Sequence, residues 1–234
     1  AGPVSAPRQA PAGALLWILV ALSIVLQLAI TTLGITVVGA LVELPGRMAF
    51  YSLPQALVVL GAYVVFGAAT LLVARRIGPV REVLAIRRTP LLPGIGLAVL
   101  GLVAGLGIAA LLEPIFHGAE SQNLDPGPFP GTAVAAAAAA CSAISVVIGA
   151  SVTEELYFRG LLYGRLDLRF ARAAAVIGSA GAFGLAHFQP DAFPTLFALG
   201  LILGLLRMRT GSIWPAIGLH AANNGLAFAY LLAS

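Results

Sequence analysis

Runs of about 20 apolar residues recur along the whole chain, each long enough to carry a helix across the hydrocarbon core of a bilayer. Of 234 residues, 60% are hydrophobic and only 9% are charged, with a mean hydropathy of +1.00. A soluble domain carries roughly 25% charged residues, so a water-soluble core is excluded. The pattern predicts an all-α fold, a polytopic transmembrane helical bundle of about seven to eight spans. They fall near 13–38, 52–74, 91–113, 132–152 running on toward 166, 172–188, 193–207 and 212–232. An eighth span arises only if the long 132–166 segment splits. Pro and Gly punctuate the joints at Pro45-Gly46, Gly78-Pro79, Pro90, Pro190 and Gly211. Residues 1–12, rich in Pro and Ala, are expected to be flexible. Residues 13–234 are expected to form one integral membrane domain, because the run from Gly13 to Val42 is too long for a signal-peptide core.

The charges that remain read as topology determinants. A net charge of +4 in such a chain does not indicate nucleic acid, and no nucleic-acid partner is expected. Arg75, Arg76, Arg81, Arg87 and Arg88 crowd the loop after the second span. Arg165, Arg169 and Arg172 follow the fourth, and Arg207 and Arg209 follow the sixth. The alternate loops carry Glu43, Glu113, Glu120, Asp125 and Asp191, with Arg47 as their basic residue. Alternation puts the three arginine groups on one side, the cytoplasm, and Arg8 places the N-terminus there too. The expected location is the cell (inner or plasma) membrane, multi-pass. Cys141 is the single cysteine, so no intrachain disulfide forms.

Against that background, ionisable side chains inside apolar spans are functional candidates, since each is costly to place in lipid. Three groups qualify: Glu154, Glu155 and Arg159; His187; and His220 with Asn223 and Asn224. At about 1.5 Å rise per residue, Glu154 stands about 16 Å above Arg165, His187 about 22 Å above Arg172, and His220 about 16 Å above Arg209. Three helices anchored by arginines on one side thus lift these groups to similar heights, so a shared polar layer is feasible.

Spacing within each helix suggests roles. Glu155 and Arg159 stand at i and i+4, where a carboxylate meets a guanidinium, and pairing lowers the burial cost of both. Glu154 is rotated about 100° from Glu155 and is free of that pair, as a general base requires. His220 and Asn224 leave one helix face, Asn223 is nearly as well placed, and Gly218 and Gly225 leave room for a substrate backbone nearby. Blander readings stand beside these. The Glu154–Glu155–Arg159 group can be a structural ion-pair cluster, and His187, near Gln189 and Asp191, an interfacial residue. His220 and Asn224 can simply bridge helices. His117 reads as a solvent-facing loop residue, and Tyr157, Phe158, Trp17 and Trp214 as packing or interfacial aromatics.

The ordered set Glu154-Glu155-x-x-x-Arg159, Phe183-x-x-x-His187 and His220-x-x-x-Asn224 resembles the CPBP family, the CAAX-protease and bacteriocin-processing intramembrane proteases. The resemblance covers about residues 130–230, the expected catalytic core, with the active site buried among the C-terminal spans. It implies an intramembrane endopeptidase that hydrolyses a peptide bond of a membrane-associated peptide or protein substrate. Glu154 would activate water, helped by His187, while His220 and Asn224 would stabilise the oxyanion; Glu155 and Arg159 would give structural support. No metal is expected. Zinc is the alternative, with Glu154, His187 and His220 as its ligands and an open water position, although there is no HExxH. Proteins of this fold that act as scaffold or immunity factors, and small transporters, are the rival non-catalytic reading.

Overall fold

Proline, glycine and arginine set the helix limits. The computed structural model describes residues 52–121 and 131–233. Within them run α1 (Leu53–Ile77), α2 (Leu91–Phe116), α3 (Ala133–Asp167), α4 (Arg172–Leu185), α5 (Phe193–Thr210) and α6 (Trp214–Ala233). Two one-turn helices, Val80–Val83 and Gly118–Ser121, sit in the connections. Proline occupies the first turn of α1 and α5, where its missing N–H costs nothing. Thr132 caps α3 by accepting a hydrogen bond from the Ala135 amide at 3.1 Å. Gly211 ends α5 in the left-handed conformation, φ 68°, which a glycine adopts without strain. Arg75 and Arg76 close α1, and Arg207 and Arg209 close α5, where cations favour the negative end of the helix dipole.

The six spans expected after residue 50 are all present as helices, within a few residues of the expected limits. No strand occurs among the described residues. Among the described residues four helices (α1, α2, α3 and α5) are long and apolar enough to cross a membrane, so the protein is an all-α, multi-pass membrane protein. The helix α4 is shorter, at 14 residues, and α6 carries His220, Asn223 and Asn224 within its 20 residues. The segment 133–167 is one continuous 35-residue rod, so it does not split to supply an eighth span. The span expected at 13–38 and the flexible segment 1–12 lie outside the described residues.

The rod α3 is not uniform. Two π-helical stretches, Ile144–Ala150 and Leu156–Leu162, flank a single α-helical turn at Ser151–Glu155. Such i→i+5 turns are rare and concentrate at functional sites. The turn between them holds Glu154 and Glu155.

Helices in lipid are drawn together by close packing and polar contacts more than by a hydrophobic driving force. The pair α4 and α5 shows this. A Cβ on Gly200 would stand 3.0 Å from the Ala180 Cα, and one on Gly204 3.1 Å from Val176, so the two backbones approach as only glycine allows. The core against which they rest contains Phe66, Leu84, Tyr157, Phe158, Leu161 and Phe183. The arginine-bearing loops gather at one end. The Ser212 hydroxyl donates to the Arg87 carbonyl at 2.8 Å, and the Ile213 amide to the Ala85 carbonyl at 3.2 Å. Gly160 lies directly on Leu84, and Gly164 on Val83. At the opposite end, Gly118 rests on Asp191 and Ala192, joining the two acidic connections.

Candidate active site

Each candidate side chain arrives from a different part of the bundle: Glu154 from the middle of α3, His187 from the turn after α4, and His220, Asn223 and Asn224 from α6. All five line one cavity of about 400 Å³, together with Tyr63 of α1, Thr195 and Gln189. The side chains expected from helical rise to share one layer therefore line a single cavity.

Under that cavity lies a fully buried charge network. The Arg159 Nη1 donates to Glu155 Oε1 at 2.8 Å, and its Nη2 to the Gly200 carbonyl at 3.0 Å. The same Glu155 oxygen accepts from His220 Nδ1 at 2.9 Å. Arg159 and Glu155 have no exposed side-chain surface. The close approach of α5 at Gly200 is what lets the guanidinium reach a backbone oxygen. Glu155 thus does more than the support anticipated for it: with its carboxylate on Nδ1, the His220 ring is fixed in orientation and tautomer, and Nε2 is left for the cavity. On that side Nε2 stands 3.9 Å from Glu154 Oε2.

Glu154 itself is free of Arg159, as its rotation on the helix suggested. Its side chain is 13% exposed, and its Oε1 receives the Tyr63 hydroxyl at 3.5 Å. His187 is oriented differently from His220. Its Nδ1 lies 2.8 Å from the carbonyl of Phe183, one turn back, so Nδ1 is the protonated nitrogen and Nε2 is left as an acceptor. Helix α4 ends at Leu185, and Phe188 has φ 53°, so His187 sits on a sharp turn and not within a helix. Among the described residues no hydrogen bond joins His187 to Glu154; the two meet across the cavity.

Phe183 explains the first residue of its motif. Its ring lies 4.6 Å from the Arg159 guanidinium, 4.9 Å from the His187 ring and 5.7 Å from the His220 ring. A buried ring face under a guanidinium is an attractive contact, and the ring spaces the two imidazoles apart. The Asn224 amide donates to the Val146 carbonyl at 3.0 Å, with Ser151 Oγ 3.4 Å away, and Asn223 donates to Asn224 Oδ1 at 3.4 Å. The tie to Val146 clamps α6 to the first π-helical stretch.

Two expectations are corrected. Gly218 does not open the catalytic face. It borders a separate groove with Pro90, Leu91 and Trp214, because two residues before His220 on a helix is the far side. Gly225 packs toward Val147 and serves the α3–α6 contact. As for zinc, no three His, Cys, Asp or Glu side chains among the described residues are gathered closely enough to hold a metal ion. Glu154, His187 and His220 share the cavity without forming a ligand shell, and with Nδ1 on Glu155 it is Nε2 that His220 turns to the cavity. Sequence reasoning missed Tyr63, Thr195 and the Glu155–His220 link. Only the last had a signal, in the coincidence of heights.

A multi-pass helical membrane protein with a carboxylate and two imidazoles around a buried cavity defines the class. Residues 129–226 match the family described as type II CAAX prenyl endopeptidase Rce1-like. That stretch contains every motif residue and bears out the resemblance to the CPBP and CAAX proteases, a family of peptidases. No curated protein and no solved structure matches the chain.

Proposed function

We propose that this protein is an intramembrane endopeptidase that cleaves a membrane-associated peptide by glutamate-activated water. The observation that carries the reading is the convergence of Glu154, His187, His220 and Asn224 on one cavity inside an apolar bundle. Glu154 takes a proton from water as the water oxygen bonds to the scissile carbonyl carbon. The carbonyl π pair moves onto oxygen, giving an oxyanion. When the tetrahedral intermediate collapses, the C–N bond breaks and Glu154 returns its proton to the departing amine nitrogen. His187, with Nε2 as a lone-pair acceptor, holds the water. His220 Nε2, when the ring carries its second proton, and the Asn224 amide donate to the oxyanion, Asn224 keeping one N–H on the Val146 carbonyl and turning the other from its long contact with Ser151 Oγ; one such donor contributes about 3–4 kcal/mol in a preorganised site.

Glu155 and Arg159 support the site, Glu155 by orienting His220. The reading needs no metal. The substrate reaches the cavity from the bilayer, and the arginine-bearing end faces the cytoplasm, with the N-terminus on the same side. Cleavage profiling tests the proposal. Purified protein in liposomes is offered a set of membrane-anchored peptides, prenylated and unprenylated, and products are read by mass spectrometry. Defined cuts made by the wild type and absent with Glu154→Ala are expected. No cleavage by the wild type of any peptide, or cleavage retained by Glu154→Ala, would contradict it, the first outcome pointing to a scaffold.

A further inference from the structure

A group outside the stretch that matches the protease family reaches the Glu154 carboxylate. Tyr63 lies in the middle of α1, 91 residues before Glu154, and its hydroxyl is 3.5 Å from Oε1. Its ring is seated on the first π-helical stretch of α3: a Cβ on Gly149 would touch the Tyr63 Cβ and Cδ2 at 3.5 Å. The other carboxylate oxygen, Oε2, faces His220 Nε2 at 3.9 Å. These two contacts come from different helices, α1 and α6. On its own helix the charged neighbours Glu155 and Arg159 are paired with each other. From the turn after α4, His187 opens on the same cavity.

A glutamate has three rotatable bonds, and its two oxygens are chemically alike until something distinguishes them. A phenol does this without adding charge, because with an ordinary pKa near 10 it is a neutral donor. We propose that Tyr63 is a positioning residue for the hydrolysis: its O–H holds Oε1 of Glu154 and leaves Oε2 turned to the cavity to take the proton from water. The contact is longer than the 2.7–2.8 Å usual for O–H···O. Catalytic hydrogen bonds are commonly long before substrate is bound and tighten with it, so the bond contributes during turnover more than to the resting fold. Ser, Thr or a second carboxylate at position 63 would not serve: the first two fall short of Glu154, and the third repels it.

This inference rests on the assignment of Glu154 as the base, and the experiment separates the two. Full-length wild type, Tyr63→Phe, Tyr63→Ala and Glu154→Gln are reconstituted in liposomes with a fluorogenic membrane-anchored peptide that the wild type cleaves. Tyr63→Phe keeps the ring on Gly149 and removes only the hydroxyl. It is expected to lower kcat by roughly 10–100-fold, the worth of a hydrogen bond to a charged group, with KM and melting temperature unchanged. Tyr63→Ala is expected to match that loss in kcat and to melt earlier, since it also unseats the ring. Wild-type kcat in Tyr63→Phe beside an inactive Glu154→Gln overturns the role of Tyr63 alone. So does a rise in KM at unchanged kcat, which marks a substrate contact. Near-wild-type turnover in Glu154→Gln overturns the base assignment and the positioning role with it.

Discussion

Replacing Arg159 by Ala removes the cation from a site with no access to solvent. The guanidinium loses its bonds to Glu155 Oε1 at 2.8 Å and the Gly200 carbonyl at 3.0 Å, and its place 4.6 Å over the Phe183 ring. What remains is the larger problem. Glu155 is fully buried, its Oε2 already has no hydrogen-bond partner, and His220 Nδ1 alone is left on Oε1. Leaving one member of a buried ion pair without its partner costs about 3–5 kcal/mol. For a chain of this length that is a fall in melting temperature of roughly 6–20 °C. The assay is thermal unfolding in detergent, followed by near-ultraviolet circular dichroism. The double variant Glu155→Leu with Arg159→Leu refines it: exchanging both charges for apolar side chains removes the stranded carboxylate, so much of the stability returns. Turnover should not return, because His220 loses the carboxylate that orients it. A melting temperature for Arg159→Ala within about 2 °C of wild type would refute the reasoning, since it would mean that the network is hydrated and not buried.

Asn224→Ala should lower kcat and kcat/KM together by about 10²–10³ while peptide binding is kept, and Asn223→Ala should stay near wild type; kinetics in liposomes decide, and the reverse order would move the oxyanion role to Asn223. Exhaustive chelation should leave activity intact, and activity lost to chelator and restored by zinc would contradict a metal-free site. With Cys141 replaced by Ser, a cysteine at the exposed position of Arg81 should resist an impermeant thiol reagent added outside intact cells. Labelling there would invert the proposed orientation.

Much of this architecture was legible because its signals are local. Span limits follow from Pro90, Pro190, Gly211 and the arginine clusters, each of which acts near its own helix end. The Glu155–Arg159 pair follows from i,i+4 spacing, and the hydrogen bond from His187 Nδ1 to the Phe183 carbonyl has the same separation. What stayed hidden depends on packing between distant segments. Tyr63 is one aromatic in an apolar run, and nothing in its neighbourhood distinguishes a ligand of Glu154 from a residue facing lipid. The carboxylate of Glu155 reaches His220 on a different helix, while Arg159 on its other side is tied to the Gly200 carbonyl of α5. The π-helical stretches leave no mark on hydropathy, yet they set the turn that presents Glu154. Gly218 was misread because small residues near a motif invite a functional reading whichever way the helix faces.

The claim that Glu154 is the base is tested most directly by one substitution that alters its chemistry and little else. Glu154→Gln keeps size and hydrogen-bonding capacity but cannot accept a proton. Its single-turnover cleavage rate is measured in liposomes beside wild type and Glu155→Gln, with the melting temperature of each recorded. A fall of at least about 10²–10⁴-fold, the contribution of a general base, is predicted for Glu154→Gln at unchanged melting temperature, whereas Glu155→Gln should chiefly lose stability. Near-wild-type cleavage by Glu154→Gln would contradict the account.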